Sequence, residues 1–529
     1  MEALFVGKFR SQLWFVLLIS FLLSLILLFF FYHSAITGGD QNNGVTFLVN
    51  NFVNVIQDRK NKSIDFAVNS SHRTITLSTN YHNCTCELTT NRNSGGQVKV
   101  SQEKNETIEH ISPSLDSCSG RYIYMHDVPR KFNEDLLKDC HSLIKWFDMC
   151  QYISNLGLGP MIENSERVLS SKGWFATNQF TLGIIFHNRM KQYKCLTNDS
   201  LLASAIYVPF YPGFDVSRYL WGFNISVRDA ASFALVKWLT QKPEWKRMWG
   251  RDHFLVGGRP AWDLRRQTDD DSDWGSKLML LPESNNITLL SVEASLWNND
   301  FAIPYPTYFH PSKDIQVRKW QRKMRRMERR YLFTFTGAPR PNSPGSIRGE
   351  LIDQCQSSST CNFVSCLHGA KKCEDPLKVL KAFQSSVFCL QPAGDSLTRR
   401  STFDSILAGC IPVFFHPGSA YAQYIWYMPR NHTKYSVFIP QNDLKDRKVL
   451  INETLLQVPK KEVLAMREEV IKLIPRIVYA DPRYRLERLE DAFDIAVKGV
   501  LDRVEAVRRG IKMGKDPSIG FAEYNVTKF

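Results

Sequence analysis

Phe388-Cys-Leu-Gln-Pro-Ala-Gly-Asp-Ser-Leu-Thr-Arg-Arg-Ser-Thr-Phe-Asp-Ser-Ile-Leu-Ala-Gly-Cys-Ile-Pro-Val413 is the stretch from which the fold class follows. The apolar run at 387–390 reads as a buried strand, a polar loop around Gly394 follows, residues 402–408 read as a helix, and 411–415 as the next strand. A strand, a Gly-containing loop and a helix in that order hold phosphate well, because unpaired backbone N–H groups and the positive end of the helix dipole face the anion. Arg399 and Arg400 add fixed charge to a loop that also contains Gly394 and Ser396. Asp404 stands one helical turn further, where an acidic side chain accepts hydrogen bonds from ribose hydroxyls. On composition alone, a surface loop with a routine helix cap is the plain alternative.

The same alternation extends in both directions. Residues 331–336 read as a strand and 346–355 as a helix; upstream, 121–126, 203–210 and 286–292 read as strands and 229–240 as a helix. The expected fold class is α/β, with two doubly wound sheets facing a cleft, a first half at 118–310 and a second at 331–475. A basic linker helix at 311–330 joins them, and C-terminal helices and a tail occupy 476–529. In the linker, Trp320, Met324 and Met327 recur at helical spacing within the run of Lys and Arg from Arg318 to Arg330. That pattern reads as a solvated amphipathic helix, with an acidic polysaccharide or a membrane surface as the alternative partner. The formal net charge of +15 would ordinarily raise nucleic acid as a partner, and the topology set by the N-terminus argues against it.

Residues 13–32 are Leu, Phe, Ile, Val, Trp and Tyr interrupted only by Ser20 and Ser24, long enough to span a hydrocarbon core of about 30 Å. A cleaved signal peptide has a shorter apolar core, so the expectation is an uncleaved transmembrane signal anchor. Lys8 and Arg10 precede it and no Lys or Arg follows until Arg59, which places residues 1–12 in the cytosol and the rest in the lumen. N-x-S/T sites stand at Asn61, Asn69, Asn83, Asn105, Asn198, Asn224, Asn286, Asn431, Asn452 and Asn525. The polar stretch at 33–117 reads as a lumenal stem. Twelve cysteines lie in no zinc-binding spacing, and the cluster Cys355, Cys361, Cys366 and Cys373 reads as one or two local disulfides.

Several longer stretches resemble one family. Gly120-Arg-Tyr-Ile-Tyr-Met-His-Asp-Val-Pro, Phe186-His-Asn-Arg-Met-Lys-Gln-Tyr-Lys-Cys-Leu-Thr, Phe301-Ala-Ile-Pro-Tyr-Pro-Thr-Tyr-Phe-His-Pro, Phe335-Thr-Gly-Ala-Pro-Arg-Pro and the block after Gly394 are similar to the exostosin-like glycosyltransferases, in their plant xyloglucan galactosyltransferase branch. The resemblance covers almost all of 118–505. It implies an inverting enzyme of two Rossmann-like domains facing a cleft (GT-B), 118–310 on the acceptor side and 331–475 binding the nucleotide sugar, that moves galactose from UDP-galactose to xylosyl side chains of xyloglucan in cell-wall synthesis in the Golgi, where the anchor makes it a type II membrane protein. Members of the wider group often carry Glu where this chain has Asp404. A relative in the branch transfers galacturonic acid, so a galacturonosyl or other UDP-sugar transferase is the alternative. A non-catalytic glycan-binding protein, or a scaffold in complexes with other wall-polysaccharide glycosyltransferases, is the rival of another class.

Inverting transfer needs a base for the acceptor hydroxyl and cations for the leaving diphosphate. Arg340, Arg399 and Arg400 are the expected cations. Asp252 or His253, read as lying on a loop edge before a strand, and Glu293, after the strand at 289–292, are the candidate bases. No cofactor is expected, and no metal: Asp269-Asp-Asp271 is a carboxylate run within the polar stretch 267–276 and reads as a solvated loop.

Overall fold

Two parallel sheets form where the apolar runs predict them. Strands β1 Tyr122–Met125, β2 Leu196–Thr197, β3 Ala203–Tyr207, β4 His253–Val256, β5 Thr288–Ser291 and β6 Asp300–Ala302 pair in the order β2-β1-β3-β4-β5-β6. Strands β7 Tyr331–Gly337, β8 Cys361–Ser365, β9 Ser386–Gln391, β10 Ile411–Phe414 and β11 Val437–Phe438 pair in the order β11-β10-β9-β7-β8. Every residue of β4, β5 and β10 is buried, as expected of strands covered on both faces, and this is why apolar residues stand next to each other in them rather than alternating with polar ones. The edge strands β2 and β6 of the first sheet and β8 and β11 of the second were not foreseen. This computed structural model describes residues 116–515 apart from 164–166, 171, 344, 368–372 and 374. The tail at 1–12, the anchor at 13–32, nearly all of the stem, and Asn61, Asn69, Asn83, Asn105 and Asn525 lie outside the described residues. Among the described residues no helix is long and apolar enough to cross a membrane.

The longer helices are α1 Leu182–Met190, α2 Ala230–Thr240, α3 Asp314–Arg326, α4 Arg348–Gln356, α5 Pro376–Gln384, α6 Arg400–Leu407, α7 Lys460–Ile477 and α8 Ala492–Lys512. The basic run is helical only to Arg326; Met327 is extended, and the chain leads from there into β7. Within α3, Trp320 and Met324 are buried as their spacing predicts, Val317 joins them, and Met327 falls beyond the helix end instead of completing the stripe. Arg329, beyond the helix end, donates to the carbonyls of Phe383, Ser386, Ala408 and Gly409, so it neutralises the C-terminal ends of α5 and α6 together. A cut at residue 475 passes through α7, which runs on through Pro475. The last helix, α8, crosses back to the first half: Phe186 and Phe493 meet at 4.7 Å, and Arg508 donates to the Ala203 carbonyl at 3.4 Å. One apolar core therefore runs through both halves, from Ile123 to Val504.

Among the described residues, five disulfides join Cys118 to Cys195, Cys140 to Cys150, Cys355 to Cys361, Cys366 to Cys373 and Cys389 to Cys410. The dense cluster thus forms two local bridges. Cys118–Cys195 closes the longest separation, 77 residues, for which loop-closure entropy is worth about 4 kcal/mol.

Among the described residues, His126, His187 and His310 are buried and set an acid limit on stability. Burial pushes His126 and His187 down to about 3 and His310 to about 4. In the unfolded chain each returns to about 6.5, so the unfolded state takes up protons that the folded state refuses. Their contribution is fully present above pH 6.5 and is lost as pH falls, by about 1.4 kcal/mol per pH unit for each histidine. The urea midpoint is expected to drop clearly between pH 7 and pH 5; a midpoint that holds over that interval contradicts this account.

Candidate active site

The loop after β9 is built on a clamped unit. β9 pairs with β10 in parallel, Cys389 opposite Pro412, and the Cys389–Cys410 disulfide ties the entry of the strand-loop-helix segment to its exit. Within the loop the Gly394 N–H donates to the Ser396 carbonyl at 3.0 Å and the Ser396 hydroxyl reaches the Thr398 carbonyl at 3.5 Å, so Gly394 and Ser396 shape the turn. The Arg399 guanidinium lies directly against Gly394: a Cβ at that position would stand 1.5 Å from Arg399 Nη2. Only glycine leaves room for this close approach.

Three guanidinium groups converge on this loop. Arg340, from the loop after β7, pairs with Asp395, whose other oxygen lies 3.8 Å from Arg399 Nη1. Arg348, at the first position of α4, donates to the Ala393 carbonyl at 2.9 Å and to the Ala338 carbonyl at 3.2 Å. Burial, with Arg399 and Arg340 alongside, pushes Arg348 down to about 10. Burial also lowers Arg399, whose Nε and Nη2 are buried without hydrogen-bond partners. Burial raises the Asp395 carboxyl, but the hydrogen bond from Arg340 and the charge of Arg399 outweigh it and hold the group below its ordinary value. Three cations facing one carboxylate, one of them with unsatisfied donors, form a site short of an anion. Sequence reasoning missed Arg348; the available signal was a cation in the first turn of a predicted helix, where the dipole disfavours it.

Arg399 and Arg400 are adjacent in sequence and diverge in space. Arg400 donates to the Thr177 carbonyl in the first half, lies 3.8 Å over the Tyr308 ring, and places Nε 3.4 Å from Asp404 Oδ2. The pair of arginines expected to grip one diphosphate is therefore split, because β-extended Arg399 and helical Arg400 project from different backbone conformations. Asp404 is 3% exposed; burial raises its carboxyl to about 6 against the pull of Arg400. Its Oδ1, with Gln391 Nε2 and Arg400 Nη2, is buried without a partner.

Glu293 comes from the carboxyl end of β5 in the other sheet and meets this loop. It accepts hydrogen bonds from the Thr398 N–H at 2.8 Å and the Thr398 hydroxyl at 2.6 Å, and Tyr305 touches the same hydroxyl at 3.1 Å. Tyr424 donates to the Val292 carbonyl at 2.8 Å, and Gln423 Oε1 accepts from the Ala294 N–H at 2.8 Å. The carboxyl ends of the two sheets thus face each other, the position at which open α/β sheets bind ligands.

Asp252 and His253 are elsewhere. The expectation of a loop edge is corrected: both have no solvent exposure, at the amino end of β4. Asp252 accepts from Arg247 at 3.1 Å and pairs with His253 Nδ1 at 2.8 Å, and His253 Nε2 meets His126 Nε2 at 3.1 Å. An acid so enclosed and so paired orders the interior. The exposed Asp269 pairs with Lys277 at 2.5 Å and with the buried Arg266 at 3.4 Å, and the Asp270 carboxylate accepts the Ser272 N–H. Among the described residues the one group with metal-ligand proximity is Cys140, His141 and Cys150, and its two cysteines are joined in a disulfide.

Residues 117–454 match the Exostosin GT47 domain. The chain belongs to the exostosin GT47 family. It is 58% identical to the xyloglucan galactosyltransferase MUR3 of Arabidopsis thaliana over 80% of this chain and 68% of that one. It is 56% identical to a probable xyloglucan galactosyltransferase, GT12, of the same plant, over 76% of this chain and 80% of that one. Its identity to the Arabidopsis thaliana xyloglucan-specific galacturonosyltransferase 1 is 43%, over 73% of this chain and 58% of that one. Among solved structures, the lipopolysaccharide glycosyltransferase WaaG aligns at 11% identity with a TM-score of 0.28, covering 57% of this chain and 94% of that one, a likeness too slight to add to the topology. This GT47 chain is a glycosyltransferase by family, and its arginine-lined loop lies within the matched region.

Proposed function

We propose that this chain transfers galactose from UDP-galactose, with inversion and without a metal, to xylosyl side chains of xyloglucan. The observation that carries the reading is the pair of buried, unsatisfied nitrogens of Arg399, Nε and Nη2, beside Arg340 and Arg348, set against Glu293 from the opposite sheet. The galactosyl and xyloglucan assignments come from the names of the relatives at 58% and 56% identity. In this mechanism Glu293 removes the proton of the acceptor hydroxyl, whose oxygen forms the new bond to the anomeric carbon. The bond from that carbon to the diphosphate oxygen breaks, and its electron pair leaves on UDP. Arg399 and its two neighbours meet the charge that develops there. The orphaned Asp404 Oδ1 and Gln391 Nε2 supply unsatisfied polar atoms for the nucleoside, with Arg400 holding Asp404 in place. The halves act as a GT-B pair, closing on the donor from both sheet ends.

The test is to incubate the lumenal region with xyloglucan oligosaccharides and either UDP-galactose or UDP-galacturonic acid, and weigh the products. A hexose increment from UDP-galactose is the expected result, retained in EDTA. A uronic-acid increment alone would move the assignment to the second donor, and a loss in EDTA restored by manganese would end the metal-independent reading.

The location follows from the proposed anchor: a type II protein of the Golgi membrane with its catalytic region in the lumen. Five disulfides support an oxidising compartment. Asn198, Asn224 and Asn431 are exposed, while Asn286 and Asn452 are half-buried, with side chains bonded to the Trp249 carbonyl and the Thr360 hydroxyl at 2.7 Å. Glycosidase is expected to increase gel mobility, with Asn198, Asn224 and Asn431 the occupied sites among the described residues; mobility unchanged by glycosidase would count against a lumenal chain.

A further inference from the structure

Four tryptophans from distant parts of the chain assemble into one partly exposed stack on the first half. Trp262 lies 5.9 Å from Trp274, Trp274 stacks on Trp221 at 4.8 Å with 13° between planes, and Trp221 is followed by Trp146 at 6.4 Å and 23°. Trp146 is 49% exposed, Trp262 39% and Trp221 38%. Large aromatic side chains cluster at a surface where something is to be bound, since single exposed ones need no explanation and a contiguous group does. The connections involved leave the carboxyl ends of β1, β3 and β4, the same side of the sheet as Glu293.

The stack is rigid. Trp274 Nε1 donates to the buried Asp263 carboxylate at 2.7 Å, and the other Asp263 oxygen takes Arg259. Backbone hydrogen bonds from Gly222 to Asp271 at 2.7 Å and from Gly275 to Leu220 at 2.8 Å lock the Trp221 loop to the Trp274 loop. The stack is also continuous with the candidate site, because the Ala261 N–H, one residue before Trp262, donates to the Glu293 carbonyl at 2.8 Å.

Building on the proposed transfer to xyloglucan, we propose that this stack is a subsite for the glucan backbone of the acceptor, at a distance from the reacting sugar. A β-1,4-linked glucose chain carries its hydroxyls around the ring edges and C–H groups on the ring faces, so it lies as an apolar ribbon against aromatic surface. Rigid aromatic side chains supply that surface at low entropic cost. Neither a charged polymer nor a nucleotide is favoured here, since the stack presents indole rings with Lys145, which lies 4.4 Å over Trp221, as the cation packed on it.

The test compares wild type, Trp146→Ala and Trp221→Ala, each checked for an unchanged thermal melt, on polymeric xyloglucan and on a single-repeat xyloglucan oligosaccharide. In both variants KM for the polymer is expected to rise about tenfold, while kcat and KM for UDP-galactose and for the short acceptor stay at wild-type values. Equal KM for the polymer in all three folded proteins would overturn the subsite. So would parallel losses on both acceptors, which would mean the tryptophans act through the fold. Tryptophan fluorescence titrated with cellohexaose scores the stack without any transfer: quenching in wild type that is lost in Trp221→Ala supports it, and no quenching in wild type rejects it. Failure of wild type to act on xyloglucan would instead sink the acceptor assignment and leave the fluorescence result standing.

Discussion

Arg399→Ala is expected to lower kcat/KM for UDP-galactose about a hundredfold, with the fold intact. Its Nε and Nη2 are buried without partners, beside Arg340 and Arg348, and Asp395 is the carboxylate that pairs with both Arg340 and Arg399. Removing a charge-assisted bond to a leaving group that gains negative charge costs on the order of 3 kcal/mol in the transition state, hence the factor. Arg399→Lys is expected to recover only part of it, because an ammonium cannot reproduce the planar fork. Gly394→Ala provides an independent check, since its Cβ would occupy the place of Arg399 Nη2. It is expected to match the loss of Arg399→Ala, and the double variant to be no worse than either, as for two changes that remove one interaction. Additive losses in the double variant, or a Gly394→Ala enzyme of full activity, would separate Arg399 from the diphosphate.

The second large effect concerns Glu293. Glu293→Gln keeps the acceptor for the Thr398 hydrogen bonds, removes the base, and is expected to lower kcat by about a thousandfold with UDP affinity by calorimetry unchanged. Asp252→Asn, by contrast, breaks a buried pair with His253 and Arg247 and is expected to cost about 3 kcal/mol of stability while the surviving folded enzyme keeps its turnover. Stable but inactive Asp252→Asn together with active Glu293→Gln would reverse the two roles.

How far the chain could be read depended on the range of the interaction concerned. Periodicity and turn chemistry are local, so the strands at 331–336, 387–390 and 411–415, the helix at 402–408 and the phosphate-type loop between them were all legible, as was the strand end that carries Glu293. Family resemblance, carried by long motifs within the matched region, gave the transferase reading. Direction and depth were not legible. Arg399 and Arg400 look equivalent as neighbours in sequence, yet one lies against Gly394 and the other is turned to Thr177, Tyr308 and Asp404, because the chain changes from extended to helical between them. Asp252-His253 has the composition of a base at a strand entrance, and only the packing of β4 beside His126 and Arg247 buries it. Arg348 joins the phosphate-type site from another strand's loop, α8 returns across the molecule to β3, and four tryptophans spread over residues 146–274 meet in one stack. Such contacts are set by how the layers close on a shared core, a property of summed burial over the whole chain that no window of sequence contains.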